Sequence, residues 1–345
     1  MKLQITNSKK QTKGVIATPP LRGKQSRGGQ KLSFLSKPLS PSTSSGASPL
    51  EKGRTPKSIL ILTMSEGQSR YEVKRIVKEA EKMGIAVNHK LYKDLIFRND
   101  KVFVGDQEVN KDNTMGIIFR VAGTKSGKYI EARNLLIKLL GDQIKCVNEK
   151  SYLDWPRMGK IPQLGVFLKN KIPVISTKIF YKKEDVLREK WDFPIIAKDS
   201  MGFQGKSVCK IDNQKELINF LNDINEIDLG MWLWQRCLST NWDLRIIVIG
   251  GKVIGAMKRT AVGDEFRSNF SLGGEVEKWD LSKTDKIIAE NVAKSCGLDY
   301  CGVDIMKDGD GTSYVLEVNR QCQFRGFEKA TGINVAKQII NCIIC

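Results

Sequence analysis

Residues 302–319 read GVDIMKDGDGTSYVLEVN and have the pattern of a β-hairpin. From residue 301 to residue 306, apolar side chains alternate with small or polar ones, which is the period of a half-buried strand. The charged, glycine-rich stretch 307–312 is typical of a turn, and residues 314–318 read as the returning strand. The sequence therefore predicts two paired strands around a tight turn.

Three side chains of this hairpin carry oxygen: Asp304, Glu317 and Asn319. Glu317 and Asn319 are two positions apart, so they project from the same face of one strand, and Asp304 can join them from the partner strand. Oxygen ligands on a rigid sheet suit Mg²⁺, which keeps several waters and is usually completed by substrate phosphates. An exposed polar face of an antiparallel pair is the alternative, and this spacing alone leaves both open.

The 345 residues suffice for two or more domains, and the net charge of +19 is unevenly distributed along them. Residues 1–57 hold twelve Lys and Arg residues against one acid, Glu51, in a stretch rich in Ser, Gly and Pro. Such a composition buries too little apolar surface to offset its ordering entropy, so it predicts a disordered basic tail. The tail could contact nucleic acid or a ribosome, serve as an organelle address, or be a spacer without a specific partner.

Several classes of protein are excluded by what the sequence lacks. No apolar run is long enough for a membrane span, and the N-terminus lacks the apolar core of a secretory signal. A CxxC spacing occurs only at residues 342–345, which argues against a zinc site and favours reduced thiols in the cytoplasm. The single histidine, His89, lies outside every motif and is predicted at the surface, so a histidine-based triad is excluded.

The first half of the chain predicts a β-α-β unit and hence parallel pairing. Its predicted elements are strand 58–64, helix 71–83, a strand from 85, hairpin 101–109, strand 115–121 and helix 130–140. Arg120 stands at the carboxyl end of its strand, where open α/β sheets bind ligands. It could therefore meet a substrate carboxylate or be an ordinary solvated arginine.

The second half of the chain predicts a loop that could close over phosphates. Strand 193–198 ends in a lysine and is followed by the glycine-containing loop 199–207 and a second strand, 208–211. Free amides and a lysine suit a phosphate lid, although a plain hairpin has the same pattern. Trp232 and Trp234, on one face of a short apolar strand, are predicted in the core rather than as a base-stacking platform.

Five segments together resemble a known family. They are DLRIIVIGGKVIGAMKR (243–259), DEFRSN (264–269), GVDIM (302–306), LEVN (316–319) and FEKATGINVA (327–336). In this order and spacing they resemble the ATP-grasp ligases, specifically the RimK-like alpha-L-glutamate ligases, whose relatives include glutathione synthetase. The resemblance extends over residues 58 to about 342 and leaves out the tail.

The resemblance implies an α/β fold in which a pre-ATP-grasp α/β domain precedes a two-lobed ATP-grasp module. The expected divisions are the tail 1–57, the pre-ATP-grasp domain 58–150 and the ATP-grasp domain 151–345. Within the last, a lid lobe would span about 180–235 and a metal-binding lobe about 236–345.

The activity implied by the resemblance is the ATP-dependent joining of a carboxylate to an amine through an acylphosphate. The expected cofactors are ATP and two Mg²⁺ ions, for which Mn²⁺ could substitute. The expected reaction adds glutamate to a protein or peptide acceptor, as in ribosomal protein modification, and a homo-oligomer is compatible with it. Two alternatives stay open: a ligase for another amino acid or a small-molecule acceptor, and a catalytically silent nucleotide- or ribosome-binding protein.

The resemblance also assigns roles to individual residues. Lys198 and Arg267 are the expected catalytic residues, and Asp304, Glu317 and Asn319 are the expected Mg²⁺ ligands. The expected nucleotide-binding residues include the phosphate-contacting lysines, the lid, the hinge that reads adenine, an acid and the RSN motif. They are Lys160, Lys198, Ser200, Gly202, Gln204, Gly205, Gln235, Arg236, Cys237, Asp243, Arg267 and Asn269.

The chain departs from the family pattern most clearly after the last expected metal ligand. The family usually continues with Ala-Ser-Pro-Gly, whereas residues 320–326 read RQCQFRG. Arg320 and Arg325 could bind an acidic substrate, because guanidinium groups suit carboxylates; they could equally be sequence drift. Smaller departures are Gly159, where the family usually has Asp, and Gln235-Arg236, where it usually has Gln-Glu.

Overall fold

A computed structural model describes residues 56–67, 70–120, 127, 129–202, 208–261 and 275–344. The described residues all fall in one compact unit. The predicted disordered tail lies outside them, apart from its last two residues. No helix in the described ranges is long and apolar enough to cross a membrane.

The N-terminal part of the described chain is built on a parallel sheet. Its elements are β1 (Ser58–Thr63), α1 (Arg70–Lys82), β2 (Ala86–Leu91), β3 (Leu95–Arg98), β4 (Lys101–Val104), β5 (Gln107–Val109), β6 (Thr114–Arg120), α2 (Ile130–Leu140) and β7 (Lys145–Cys146). The sheet has the order β2-β1-β6-β7, and every neighbouring pair in it is parallel. Strands β3, β4 and β5 form a small antiparallel sheet. The predicted β-α-β unit and the predicted hairpin at 101–109 are both confirmed.

The middle of the chain forms a four-stranded antiparallel sheet. Its elements are α3 (Glu149–Asp154), α4 (Lys160–Lys169), β8 (Thr177–Lys178), α5 (Lys183–Arg188), β9 (Ile195–Asp199), β10 (Val208–Ile211), α6 (Gln214–Asp223) and β11 (Trp232–Arg236). The strand order is β10-β9-β11-β8. Trp234 is completely buried in the core of this sheet and Trp232 packs against the same cluster, so the prediction that these rings belong to the core is confirmed.

The C-terminal part is organised around a five-stranded antiparallel sheet. Its elements are β12 (Trp242–Ile249), β13 (Lys252–Thr260), β14 (Glu275–Trp279), α7 (Lys283–Ser295), β15 (Tyr300–Lys307), β16 (Ser313–Asn319), α8 (Arg325–Thr331) and α9 (Val335–Ile344). The strand order is β14-β13-β12-β15-β16. Helix α7 packs on one face of the sheet, whereas α1, α8 and α9 contribute to the hydrophobic cluster on the other face.

The hairpin at 302–319 is present as β15, a turn and β16, but its first strand is not half-buried. Residues 300–305 are all buried. Strand β15 lies between β12 and β16 inside the sheet, and hydrophobic clusters cover both faces at this point. The alternating pattern that predicted one solvated face was misleading, because the polar Asp304 on that face is buried against other charged side chains.

The predicted α/β class is confirmed. The domain division at residues 150 and 151 stays a prediction, because one hydrophobic cluster takes side chains from both sides of it. This cluster includes Ile59, Ile76 and Ile118 from before the division, and Ile247 and Ile340 from after it.

Candidate active site

Strand pairing in the five-stranded sheet brings the predicted metal ligands onto neighbouring positions. Asp304 on β15 lies directly opposite Glu317 on β16. Asn319 follows Glu317 by two positions and so shares its face, and Asn319 Nδ2 donates a hydrogen bond to Glu317 Oε1 at 3.0 Å. Three oxygen-bearing side chains are therefore close together, and their role as metal ligands stays a prediction.

The Asp304 carboxylate is buried between two arginines. Arg245, directly opposite on β12, donates from Nε and Nη2 to the two carboxylate oxygens, with 2.8 Å between Nη2 and Oδ2. Arg259 Nη2 lies 3.1 Å from Asp304 Oδ2 and also binds Asp243. Burial acts to raise the pKa of the Asp304 carboxyl, but the two guanidinium groups outweigh burial and lower this pKa. Asp304 is therefore held as a carboxylate.

Asp243, the predicted nucleotide-side acid, completes this charged network. Both of its oxygens accept hydrogen bonds from Arg259, at 2.6 and 2.5 Å. Its exposed fraction is only 5%. The carboxylate of Asp243 thus orients the arginine that approaches Asp304.

Arg245 and Arg259 are functional candidates that the sequence analysis missed. A signal was nevertheless present, because Arg245 follows Asp243 by two positions and must share its face of the strand. A hairpin that turns at Gly250-Gly251, where both residues have positive φ, brings Arg259 opposite Asp243. Counting back from the turn alone would instead place Lys258 opposite Asp243, and the register shift between Ile247 and Val248 brings Arg259 there.

Lys160, at the start of α4, connects the lid to the predicted metal site. Its Nζ lies 3.6 Å from Glu317 Oε2 and donates a hydrogen bond to the Gly202 carbonyl at 2.5 Å. Farther along α4, the buried Gln163 side chain bonds both the amide and the carbonyl of Val318, at 2.8 and 3.2 Å. Helix α4 is therefore fixed against β16 next to two of the predicted ligands.

Lys198 lies near the end of β9 and faces the same group of charges. It forms no ion pair with any residue in the described ranges, and its charged neighbours are Glu317, Lys160 and Asp243. Burial is the main cause that lowers the pKa of Lys198 to about 8; the Lys160 charge acts in the same direction, whereas Glu317 and Asp243 oppose the shift. A partly buried lysine without a carboxylate partner is suited to receive an anionic group.

Ser200, predicted to contact phosphate from the lid, is buried against the start of α4. Its Oγ accepts a hydrogen bond from the Ile161 amide at 3.2 Å, and its carbonyl accepts one from the Lys160 amide at 3.0 Å. These are two of the amides that an α-helix leaves unpaired at its N-terminus. The first lid residue therefore fixes the helix that carries Lys160.

Four predicted site residues lie outside the described residues. They are Gln204, Gly205, Arg267 and Asn269. The segment DEFRSN (264–269), which contains the RSN motif, is also outside, and the described chain resumes at Glu275, where β14 begins. The roles of these residues stay predictions.

The predicted adenine hinge follows β11. Gln235 Nε2 donates a hydrogen bond to Thr177 Oγ1 at 2.7 Å, whereas Gln235 Oε1 is buried and accepts none from the described residues. Arg236 forms an ion pair with Asp308 at 2.7 Å. The backbone amide of Cys237 donates a hydrogen bond to the carbonyl of Pro194, just before β9, at 3.2 Å. The hinge therefore retains one buried acceptor that a donor from a ligand could satisfy.

Two arginines that could have met an acidic substrate are committed to the protein itself. Arg120 is 2% exposed and lies 3.8 Å from Glu72, so it is not a solvated arginine. Arg320 donates to backbone carbonyls at the end of α3. Arg325, by contrast, is exposed, with its guanidinium 5.7 Å from the centre of the Tyr71 ring.

His89 is half-buried rather than at the surface. Its Nε2 lies 2.9 Å from Thr63 Oγ1, and burial lowers its pKa. It lies in the parallel sheet on β2, away from the charged network of β12 to β16.

Comparisons with known proteins agree with this arrangement. The model of the RimK-like ATP-grasp domain matches residues 158–343, more than half of the chain. A probable alpha-L-glutamate ligase of Legionella pneumophila (strain Corby) is 37% identical over 162 residues, which are 46% of this chain and 53% of that relative. The chain therefore spans about half the length of the relatives it matches.

Solved structures with the same fold are ATP-grasp ligases. The ligase PsnB, complexed with a minimal precursor, has a TM-score of 0.67 and 20% identity, covering 84% of this chain and 99% of PsnB; another PsnB structure contains Mg and ADP. The macrocyclase MdnC from Microcystis aeruginosa MRC, bound with the precursor peptide MdnA, has a TM-score of 0.62 and 16% identity, covering 83% and 99%. These likenesses establish the ATP-grasp fold. Together with the matched domain, they show that this chain belongs to the RimK-like ATP-grasp family.

Proposed function

We propose that this protein is an ATP- and Mg²⁺-dependent carboxylate–amine ligase that adds glutamate to a protein or peptide acceptor. The observation that carries the proposal is the convergence of Asp304, Glu317 and Asn319 on one part of the sheet, with Lys160 at 3.6 Å from Glu317 and Lys198 facing the same charges. Phosphoryl transfer depends on positioning and charge stabilisation more than on covalent protein groups. This group of side chains supplies both.

The two lysines would bind the phosphates of ATP. Lys160 is anchored at the start of α4, and its ammonium already bridges the Gly202 carbonyl of the lid and Glu317. Lys198 has no carboxylate partner among the described residues. A phosphate oxygen of ATP would give it an anionic partner. Gln235 Oε1, buried and without a donor in the described chain, would accept a hydrogen bond from the base.

The donor set fits Mg²⁺ in its chemistry. Asp304, Glu317 and Asn319 offer oxygen atoms, which this ion prefers. When bound, the metal would neutralise phosphate charge and orient the phosphoryl group. Arg245 and Arg259, which hold the Asp304 carboxylate, would then be free in part to stabilise negative charge on the reacting groups.

The proposed reaction has two balanced steps. An oxygen of the amino acid or acceptor carboxylate attacks the γ-phosphorus of ATP, and the bond from that phosphorus to ADP breaks, giving an acylphosphate. The nitrogen of the amine then attacks the acyl carbon, the carbon–oxygen bond to phosphate breaks, and the amine proton passes to phosphate or solvent. The residues of this chain would position the groups and stabilise charge in both steps.

The acceptor class is supported by the relatives rather than by a pocket. The Legionella relative is named a probable alpha-L-glutamate ligase, and two structural neighbours were solved with peptide precursors. A peptide or protein acceptor and glutamate as the added amino acid are therefore the first pair to test. Free thiols support a cytoplasmic location, and they are carried by Cys146, Cys237, Cys296, Cys301 and Cys322.

The proposal is tested by release of ADP and phosphate from the full chain with ATP, Mg²⁺ and pairs of amino acids and peptides, followed by mass spectrometry of the products. The expected result is stoichiometric ADP release with a peptide that gains the mass of one or more glutamate residues. Gain of another amino acid, or modification of a small molecule alone, would support the alternative ligase. Nucleotide binding without product from any pair would instead identify a silent nucleotide-binding protein and overturn the proposal.

A further inference from the structure

The segment that follows Asn319, residues 320–322, is docked onto the N-terminal part of the chain. The first contact comes from Asn148, which has a left-handed backbone conformation with φ of 64°. Its side-chain Nδ2 donates hydrogen bonds to the carbonyls of Tyr300 and Arg320, at 2.8 and 2.9 Å, and its Oδ1 accepts one from the Tyr300 amide at 2.9 Å. One buried amide group thus ties the start of β15 to the residue after Asn319.

The second contact is made by the Arg320 side chain, which turns away from the predicted metal site. Its Nη1 donates to the carbonyls of Ser151 and Trp155, at 3.0 and 2.6 Å, and its Nη2 donates to that of Pro156 at 3.3 Å. The Ser151 carbonyl lies in α3 and also accepts the Trp155 amide at 3.0 Å, whereas the Trp155 and Pro156 carbonyls follow the last turn, where a helix leaves acceptors unpaired. A cation at this end also complements the helix dipole.

The third contact is a stack of two guanidinium groups on one ring. The guanidinium groups of Arg320 and Arg133 both lie over the Tyr152 ring, 4.5 and 3.9 Å from its centre. The Tyr152 hydroxyl accepts a hydrogen bond from Gln321 Nε2 at 2.6 Å. Burial lowers the pKa of Arg320 to about 10, so the side chain still carries its charge at neutral pH.

A fourth contact holds the carbonyl of Cys322. It accepts a hydrogen bond from the Tyr300 hydroxyl at 2.8 Å and lies 3.4 Å from Nη1 of the buried Arg120. Close packing here depends on Gly302, because a Cβ at that position would lie 2.8 Å from Cys322 Cβ. Three consecutive residues after Asn319 are therefore held by separate partners.

Resting on the proposed function, we infer that Arg320, with Tyr152 and Gln321, is a positioning residue that fixes Asn319 and Glu317 in place by docking the 320–322 segment onto α3. In the usual family sequence, a Pro-Gly pair could hold this segment by the stiffness of the backbone. Here the residues that depart from the family pattern hold it by side-chain contacts instead. Arginine is required because its planar group both stacks on a ring and donates from two nitrogens to three carbonyls. A lysine at 320 keeps the charge but has a point ammonium that cannot do both.

The inference is tested with Arg320→Lys and Tyr152→Phe, the second of which removes only the hydroxyl that Gln321 binds. Mn²⁺ is titrated by electron paramagnetic resonance against the full chain saturated with a non-hydrolysable ATP analogue. Loss of groups that orient metal ligands typically weakens metal binding 10–100-fold, so Arg320→Lys should raise the Mn²⁺ Kd about tenfold and Tyr152→Phe should raise it less. The affinity for the analogue without metal should not change.

A matched control is Arg98→Lys, since Arg98 is exposed and its guanidinium also lies over a ring, 4.9 Å from the centre of Phe103. It should leave Mn²⁺ binding unchanged. Hydrogen exchange in the ligand-free chain supplies an independent readout: peptides covering residues 317–324 should exchange faster in Arg320→Lys and unchanged in Arg98→Lys.

Wild-type Mn²⁺ affinity in both test variants, or unchanged exchange of 317–324 in Arg320→Lys, would overturn the inference and leave the proposed function standing. Failure of wild-type protein to bind Mn²⁺ with the analogue would instead overturn the proposed function, and the positioning role with it. If Arg320→Lys does not fold, Tyr152→Phe decides by the same Mn²⁺ titration.

Discussion

At the scale of single residues, the Asp304 carboxylate is bound by two arginines and is also a proposed ligand of a metal ion. In this structure two guanidinium groups neutralise it, whereas the proposed function requires it to bind a cation. A buried carboxylate that loses one set of partners must gain another, because an unpaired buried charge is costly. Arg245 and Arg259 therefore compensate the buried charge of Asp304 in this structure, and under the proposed function a bound metal would replace part of that pairing.

The first prediction compares Asp304→Asn with Glu317→Gln. Both should abolish Mg²⁺-dependent ADP formation, because each removes an anionic oxygen from the proposed metal site. Asp304→Asn should also lower the free energy of unfolding by about 3–5 kcal/mol, since it leaves the buried Arg245 without a carboxylate and Arg259 with only that of Asp243. Glu317→Gln should change it by less than about 1 kcal/mol, because that side chain is 30% exposed.

Chemical denaturation and a coupled ADP assay measure the two effects. Asp310→Asn is the matched control, because Asp310 is an exposed acid in the turn of the same hairpin and bonds only locally to Thr312. It should match wild type in both assays. Normal Mg²⁺-dependent turnover in Glu317→Gln would contradict the metal assignment.

A second prediction concerns the pH dependence of nucleotide binding. Burial favours the neutral form of Lys198 and lowers its pKa to about 8, so its charge is present below that pH and is lost as pH rises through it. ADP affinity should therefore fall above pH 8, approaching about tenfold per pH unit. Calorimetric titrations between pH 7.5 and 9.5 measure this.

Lys198→Arg supplies the control for this dependence, because a guanidinium stays protonated throughout the range. Its ADP affinity should vary little with pH, even if it is weaker than that of wild type at pH 7.5. The same fall in both proteins would assign the titration to another group and remove Lys198 from the phosphate site.

At the scale of elements, the junction between β9 and α4 joins the lid to the predicted metal site. Ser200 directly follows β9, and its hydroxyl and carbonyl accept hydrogen bonds from the first amides of α4. The same helix carries Lys160 at its start and Gln163 against β16. A displacement of the lid strand would therefore be transmitted to Lys160.

The third prediction is that Ser200→Ala destabilises this junction by about 1 kcal/mol, the usual effect of removing a side-chain acceptor at a helix N-terminus. The KM for ATP should rise as well, because Lys160 loses part of its support. Ser239→Ala is the control, since the Ser239 hydroxyl is exposed and bonds Asp308 at 3.3 Å. Urea unfolding and initial rates measure the two quantities; equal values in the two variants would refute the coupling.

At the scale of the whole molecule, the parallel sheet and the five-stranded sheet share a hydrophobic core. Helix α1 contributes Val73 and Ile76 to the cluster that also contains Phe327 and Ile340 from α8 and α9. The core is reinforced by Arg75, which forms two hydrogen bonds with Glu328, at 2.9 and 3.2 Å. The predicted pre-ATP-grasp and ATP-grasp parts should therefore unfold together.

The fourth prediction tests this shared core with Ile76→Ala. The residue is fully buried, so its truncation should cost about 2–5 kcal/mol. All six tryptophans lie between residues 155 and 279, so their fluorescence reports on the C-terminal part, whereas circular dichroism reports on the whole chain. Both unfolding midpoints should fall by the same amount.

Ile227→Ala, which truncates an isoleucine that is 87% exposed, should shift neither midpoint. A fall in the circular dichroism midpoint with an unchanged tryptophan midpoint would show that the parts before and after residue 150 unfold independently. The predicted domain boundary would then also be a boundary of stability.

The sequence by itself determined the elements whose signals are local. The apolar period of α1 and the glycines that turn the hairpins at 105 and 250–251 depend on residues a few positions apart, and the structure confirms these elements. The order and spacing of the motifs after residue 243 identified the family, because those segments hold residue types that few other folds require in that order.

Only the tertiary structure decided which partners the charged side chains take. Arg320 and Arg120 carry no sequence signal that distinguishes a substrate ligand from a support of the fold, since the difference depends on carbonyls more than 150 positions away. The burial of Asp304 beside two arginines depends in the same way on the register of three strands. Hydrogen bonds and ion pairs act over a few ångströms, so their partners are fixed only when packing brings distant segments together.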